Sequence, residues 1–184
     1  MGDLRTLGAD LRSLRKSRGL TLEILSGKLG KSVGWLSKVE RDISRLEPGD
    51  VATLARLLNV PASLFAVPEV PDAEAGRVVR KDARRAIGER VPGLVEELLS
   101  PDLTDGFEVI HSTFLPGSER HEGQTRDTAE LAVMISGKLD IWLGGEKFTV
   151  CAGDAFRIRE ESQRWANPYD TPAVAVWVIS PPVY

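Results

Sequence analysis

From Leu4 to Phe65 the apolar residues return at helical spacing, with Leu7, Leu11 and Leu14 in one stretch and Leu22, Leu25 and Leu29 in the next. Gly19 stops the first stretch, and Thr21 can cap the second with Glu23 in its opening turn. Gly30 ends that helix, and Ser32 can cap a third running from Ser32 to Arg41. A fourth helix begins near Pro48, with Val51, Leu54, Ala55, Leu57 and Leu58 on its inner side, and a short fifth covers Ala62 to Phe65. The pattern predicts an N-terminal domain of five short helices.

Beyond Pro68 the texture changes. Val67-Pro68-Glu69-Val70-Pro71-Asp72 is a proline-spaced acidic stretch unsuited to a helix interior or a central strand. It marks a linker at 67–75 between a domain at 1–66 and another at 76–184. Short β-like runs follow at Arg77–Val79, Phe107–Phe114, Leu131–Ile135, Lys138–Leu143, Lys147–Val150, Ala155–Ile158 and Val174–Ile179. Pro116-Gly117, Ser136-Gly137, Gly144-Gly145 and Gly153-Asp154 punctuate them, and Pro92–Leu99 reads as an isolated helical turn. Many short, evenly spaced strands suggest an antiparallel sandwich or barrel, so the chain is expected to be a multi-domain α plus β protein.

Composition changes this picture little. With 42% apolar and 28% charged residues, no apolar run of membrane-spanning length and no signal-peptide pattern, a cytoplasmic protein without a membrane partner is expected. The single cysteine, Cys151, cannot form an internal disulfide, which fits a reducing compartment, and is expected to act as a small hydrophobe. The net charge of −3 hides an asymmetry: residues 1–66 carry eleven Lys/Arg against seven Asp/Glu, so the front is basic and the back acidic. A basic front is the footprint expected of phosphate contact, although its excess is modest.

Two helices crossing steeply through a short turn need a small residue where they touch, and Ser26 supplies it, with Leu25, Leu29, Leu36 and Val39 holding the crossing. That packing leaves Ser32, Val33, Gly34, Ser37 and Lys38 on the free side of the third helix, with Trp35 beside them. The segment from Leu11 to Arg41 resembles the phage-repressor type (XRE family) of helix-turn-helix. In that family the start of this helix reads base edges in the major groove, so the resemblance implies that it contacts double-stranded operator DNA. Lys38 is the candidate for a guanine or phosphate, Ser32 and Ser37 for phosphate or base hydrogen bonds, and Trp35 for sugar or a thymine methyl. Arg15 and Glu40 fall where the family has a partly buried ion pair, which implies a scaffold role for both. Leu22 departs from the pattern, since the family often has a glutamine there and leucine cannot donate to a phosphate. One such unit covers few base pairs, so a homodimer is expected, with the barrel supplying most of the dimer surface.

The stretch from Pro116 onward resembles the barrel of the cupin superfamily, a double-stranded β-helix, and the whole chain resembles regulators that join this barrel to the same helix-turn-helix. Glu130 and Gly137 hold the spacing that closes the first cupin motif, Phe148–Asp154 ends in its Gly-Asp turn, and Gln163-Arg-Trp-Ala-Asn167 is similar to the second motif. The metal-binding histidines of that pattern are absent here. Their places in the first motif fall on Gln124 and Arg126, or on Gly123 and Thr125 in the alternative spacing; in the second they fall on Gln163, or on Arg164 after a slip of one. A guanidinium has no lone pair for a metal ion, and His121 with Glu130 makes only two ligands. His111, among apolar strand residues, is expected to be structural. No metal, no other cofactor and no catalytic residue are expected.

The resemblance implies a transcription regulator whose barrel binds a small-molecule effector, anionic or zwitterionic. Gln124, Arg126, Glu130, Gln163, Arg164 and His121 are the candidate contacts, and Arg126 or Arg164 could grip a carboxylate in two-pronged fashion. The competing expectation is a metal-dependent cupin enzyme of the oxygenase or epoxidase type that carries a helix-turn-helix.

Overall fold

The computed structural model describes residues 7–66, 71, 73–88, 91–101, 103 and 105–183. Residues 67–70 and 72 of the expected linker lie outside them. The chain packs into two compact units, one from Met1–Arg85 and Pro101–Asp105, the other from Ala86–Ser100 and Gly106–Val183.

In the first unit the helices are α1 (Leu7–Ser17), α2 (Leu22–Leu29), α3 (Val33–Val39) and α4 (Pro48–Leu58), and the expected fifth helix is a 3-10 turn at Ala62–Phe65. Local chemistry sets their ends. Thr21 and Ser32 each stand in extended backbone and accept a hydrogen bond, from the N–H of Ile24 at 3.2 Å and of Trp35 at 3.1 Å. Gly30 closes α2 in the left-handed region with φ 66°, a conformation that costs glycine least. Leu11, Leu14, Leu25, Leu36, Leu54, Leu58 and Leu64 form the buried core of the unit.

Among the described residues, two buried ion pairs brace this unit. Arg15 donates to both carboxylate oxygens of Glu40, at 2.6 and 2.9 Å, and also to the Leu20 carbonyl at 2.8 Å, so the scaffold role expected for this pair is observed. Arg85 pairs with Asp10 at 2.5 Å and donates to the Leu64 carbonyl at 2.8 Å, and both side chains are buried. Sequence reading did not anticipate this second pair.

The second unit is a barrel of two antiparallel sheets. Its strands are β1 (Arg85–Ala86, where the chain passes between units), β2 (Leu94–Leu98), β3 (Glu108–Phe114), β4 (Glu119–Gln124), β5 (Ala129–Ser136), β6 (Lys138–Leu143), β7 (Glu146–Cys151), β8 (Ala155–Arg159), β9 (Gln163–Ala166) and β10 (Ala173–Ser180). One sheet runs β1-β2-β3-β10-β5-β8 and the other β4-β9-β6-β7. Inward residues alternate along the strands, as at Ala132 and Met134, or Ala175, Trp177 and Ile179, and they fill the interior. Asn167, fully buried, ties the strand ends together by donating to the carbonyls of Phe114 and Thr171 at 2.9 and 3.0 Å.

Two expectations fail here. Pro92–Leu99 is no helical turn: Leu94 and Leu98 are both buried, but on a strand whose register sets them against Phe114 and Ile110. Arg77–Val79 is no strand, because residues 73–77 form turns and the first extended pairing comes at Arg85. Cys151 is half-buried and free.

Candidate functional site

Two surfaces carry the chemistry, one in each unit. On α3 the inward side chains Leu36 and Val39 are buried. Ser32, Val33, Gly34 and Lys38 are exposed, and Trp35 and Ser37 half-buried, so all six expected contact residues lie on one short element. Among the described residues no acidic group pairs with Lys38. The Ser32 hydroxyl oxygen is engaged as the helix cap, which leaves its hydrogen for an outside acceptor. Trp35 is held by Lys31, whose Nζ lies 4.8 Å from the ring centroid and 3.0 Å from an Asp50 oxygen. Arg41, which sequence reading did not assign, follows the end of α3 and donates from Nε to the Ser37 carbonyl at 3.1 Å. It adds a second exposed cation on the Ser37 side.

In the barrel a narrow cavity of about 30 Å³ lies between the sheets. Glu96, Ser112, Glu130 and the Trp177 ring line it from the six-stranded sheet, Gln163 and the Trp165 ring from the four-stranded sheet, and Arg126 from the loop between β4 and β5. Glu130 is only 3% exposed, and its Oε1 accepts from Thr128 Oγ1 at 2.8 Å and lies 3.5 Å from Arg126 Nη1. Arg126 also donates to Gln124 Oε1 at 3.3 Å, and Gln124 is the cross-strand neighbour of Gln163. Glu96 Oε1 accepts from Ser112 Oγ at 3.3 Å. Arg120 and Arg126 also line an open groove along β4 that includes Gln124.

Four of the six candidate effector contacts, Gln124, Arg126, Glu130 and Gln163, are thus brought together. The other two are not. Arg164 lies with its guanidinium carbon 3.7 Å from the Trp142 ring centroid, away from the cavity lining. The His121 side chain is 77% exposed and pairs with Glu119 at 3.0 Å. Strand alternation explains both, since Gln163 and Arg120 point inward and their chain neighbours must point out. Glu96, Ser112, Arg120, Trp165 and Trp177 were missed. Glu96 was hidden by the mistaken helical turn, whereas Ser112 sits in an expected strand at an inward position that alternation alone could have flagged. His111 lies 3.7 Å from Glu97 on the cross-strand position of β2, outside the cavity lining.

The residues at the family's metal-ligand places do not fit a transition metal. Arg126 has no lone pair to give, and one oxygen of Glu130 is already held by Thr128 and Arg126. Among the described residues no three of His, Cys, Asp and Glu are grouped as ligands of an ion. No described helix is long and apolar enough to cross a membrane.

Comparison with known proteins agrees with this division. Residues 6–67 match the family model of a helix-turn-helix domain, and residues 110–179 that of a cupin domain. No curated protein matches the chain. Among solved structures, the chain is similar to an HTH_3 family transcriptional regulator from Vibrio cholerae, at 18% identity over 96% of each chain with a TM-score of 0.46. It is also similar to an RmlC-like cupin from Shewanella frigidimarina, at 15% identity over 58% of this chain and 91% of that one, with a TM-score of 0.51. A third is the cupin domain of an XRE family transcriptional regulator from Enterobacter cloacae, at 25% identity over 50% of this chain and 99% of that one, with a TM-score of 0.42. By the two family models, residues 6–67 are a helix-turn-helix domain and residues 110–179 a cupin domain, in one chain.

Proposed function

We propose that the protein is a cytoplasmic, sequence-specific DNA-binding regulator that works as a homodimer and whose cupin domain binds a small-molecule effector. The observation that carries this reading is the outward side of α3 in a helix-turn-helix domain: exposed, with a small residue at Gly34 for close approach and an exposed cation at Lys38 that no acidic group among the described residues pairs with. Base contact falls to Ser37, Lys38 and the Val33–Gly34 turn, while Ser32, Trp35 and Arg41 fix the helix against the backbone. The domains are taken as residues 1–66 and 76–184, with 67–75 between them.

The cavity lining supports an effector that carries both signs. Arg120 and Arg126 offer guanidinium groups to a carboxylate, while Glu96 and Glu130 offer carboxylates to an amine. A zwitterion satisfies both walls, whereas a simple anion would leave two acids facing it. Effector control requires two arrangements of the protein that bind the ligand with different affinity.

The test is DNA selection from a random pool, followed by fluorescence anisotropy with the selected duplex. Lys38→Ala is expected to weaken binding and to reduce the salt slope by about one unit if Lys38 contacts a phosphate; a guanine contact would instead relax specificity at one position, at about 1–3 kcal/mol. Unchanged retention of DNA would overturn the reading of α3. An enzyme reading requires a bound metal, and elemental analysis of the purified protein separates the two: one equivalent of iron that Glu130→Ala abolishes would favour the enzyme.

A further inference from the structure

At about 30 Å³ the barrel cavity has room for a water or two, whereas an ordinary ligand pocket offers roughly 300–1,000 Å³. An effector therefore has to open it, and the wall that yields can be identified. Of the lining residues Arg126 alone stands outside a strand, in the loop between β4 and β5. Arg120 and Arg126 line the cavity and also the open groove along β4, so they form the partition between the two. The ladder is interrupted at the same place. Between the pairs Arg120–Trp165 and Gln124–Gln163, three residues of β4 oppose the single Arg164 of β9.

The Arg126 guanidinium is held by two long contacts, 3.5 Å to Glu130 Oε1 and 3.3 Å to Gln124 Oε1, and its side chain is 19% exposed. Glu130 is held more firmly, since Thr128 Oγ1 donates to the same oxygen at 2.8 Å. A guanidinium well matched to a carboxylate makes two short parallel bonds, as Arg15 does with Glu40 at 2.6 and 2.9 Å. Arg126 has no such grip on Glu130. It is a loose plug, close enough to offset the charge of a carboxylate that is only 3% exposed and held weakly enough to leave it.

We propose that Arg126 is a built-in substitute for the ammonium group of the effector, and that a small zwitterion opens the cavity by exchanging partners with it. The proposal rests on the zwitterionic effector of the reading above and states how the closed site admits it. The incoming carboxylate takes Arg126 in the β4 groove, with the two-pronged geometry that Glu130 does not offer. The ammonium takes the place beside Glu130 that the guanidinium leaves. One poor ion pair becomes two, and no charge is stranded in the barrel. A simple anion would draw Arg126 out and leave Glu130 bare, while a simple cation would find its place occupied. The exchange thus selects against molecules that carry one charge alone.

Emptying either half of the pair in the full chain tests the exchange with simple ions. In Arg126→Ala the place beside Glu130 is open, so ethylammonium chloride should raise the melting temperature saturably, by about 3 °C at about five times its dissociation constant, relative to sodium chloride at equal ionic strength. The wild type and the double variant Arg126→Ala with Glu130→Gln should show no such rise. Glu130→Gln keeps the shape of the side chain and removes the counter-charge of Arg126, so there sodium acetate should give the saturable rise. That arm decides the matter if Arg126→Ala does not fold. An equal ethylammonium response in the wild type or the double variant would overturn the proposal, because the cation would be binding away from Glu130. So would a folded Arg126→Ala that ignores ethylammonium, or a Glu130→Gln that ignores acetate. Failure of the regulatory reading would show itself elsewhere, as a wild type that does not retain duplex DNA, which none of these measurements involves.

Discussion

At the scale of single residues, Asp140 shows how a buried carboxylate keeps its charge. Burial is the largest influence on it and acts to raise its pKa, yet three donors reverse the outcome. Lys147 Nζ at 2.8 Å, Thr149 Oγ1 at 2.7 Å and Tyr169 OH at 2.9 Å all bind the ionised form, and the carboxyl is held below the ordinary aspartate value. A folded-state pKa below the unfolded one gives stability that is present above about pH 3.9 and is lost as pH falls through the folded value. Acid unfolding of the barrel, followed by tryptophan fluorescence, should therefore include an Asp140 component. Asp140→Asn should lower stability at neutral pH and flatten the acid limb; an unaltered limb would assign acid sensitivity to other carboxylates. The alternation that sets Asp140 on the outer side of β6, between the inward Leu139 and Ile141, also decided two questions that sequence left open. Between Gln163 and Arg164 only one can face the cavity, and β9 gives that place to Gln163. His121 loses its place to Arg120 for the same reason.

At the scale of elements, the helices were legible because their apolar period, caps and stop signals agree, as at Thr21, Gly30 and Ser32. The barrel was only partly legible. β4 reads Glu-Arg-His-Glu-Gly-Gln, with no apolar alternation to announce a strand, because it borders an open groove. Leu94 and Leu98 share a face in a helix and in a strand alike, so their spacing could not discriminate, and only pairing with β3 does. With β2 misread, Glu96 and half of the cavity's acidic wall went unseen. Packing between elements also reverses a propensity rule in the helical unit. Alanine is favoured over glycine inside a helix by up to about 1 kcal/mol, and Gly27 of α2, with nothing near its missing Cβ, should follow the rule. Gly8 of α1 should not. A Cβ there would meet the Val39 carbonyl oxygen, come within 2.8 Å of the Glu40 carbonyl carbon and 2.9 Å of an Asp42 oxygen, and disturb the Gly8 N–H bond to Asp42 at 3.0 Å. Overpacking against backbone costs about 1–3 kcal/mol, more than the propensity gain. Urea denaturation should thus show Gly27→Ala stabilised and Gly8→Ala destabilised by about 1–2 kcal/mol net; a stabilised Gly8→Ala would mean that α1 and the end of α3 are looser than this packing implies.

For the whole molecule, the course of the chain makes the helical unit dependent on residues far beyond its helices. Arg85 lies 75 positions from Asp10, and Leu103, whose carbonyl accepts from Ser13 Oγ at 2.8 Å, lies 90 positions from that serine. A fragment cut at residue 66, where the helical pattern ends, would omit both. Composition cannot reveal such a tie, because one arginine among Arg77, Arg80, Lys81, Arg84 and Arg85 looks like any solvated cation. The tie predicts that Arg85→Ala in the full chain, by taking the guanidinium from a buried carboxylate, destabilises the helical unit by about 3–5 kcal/mol. Replacing both partners, as in Asp10→Leu with Arg85→Met, should recover much of that loss, since a well-packed apolar pair needs no charge compensation. Far-UV circular dichroism in urea follows the helices, while in a Trp35→Phe background the fluorescence of Trp142, Trp165 and Trp177 follows the barrel strands that carry them. The single variant should move the helical transition more than the fluorescent one. Equal movement of both would show that the units unfold as one cooperative body, and no movement in either would remove Arg85 from the stability of the helix-turn-helix domain.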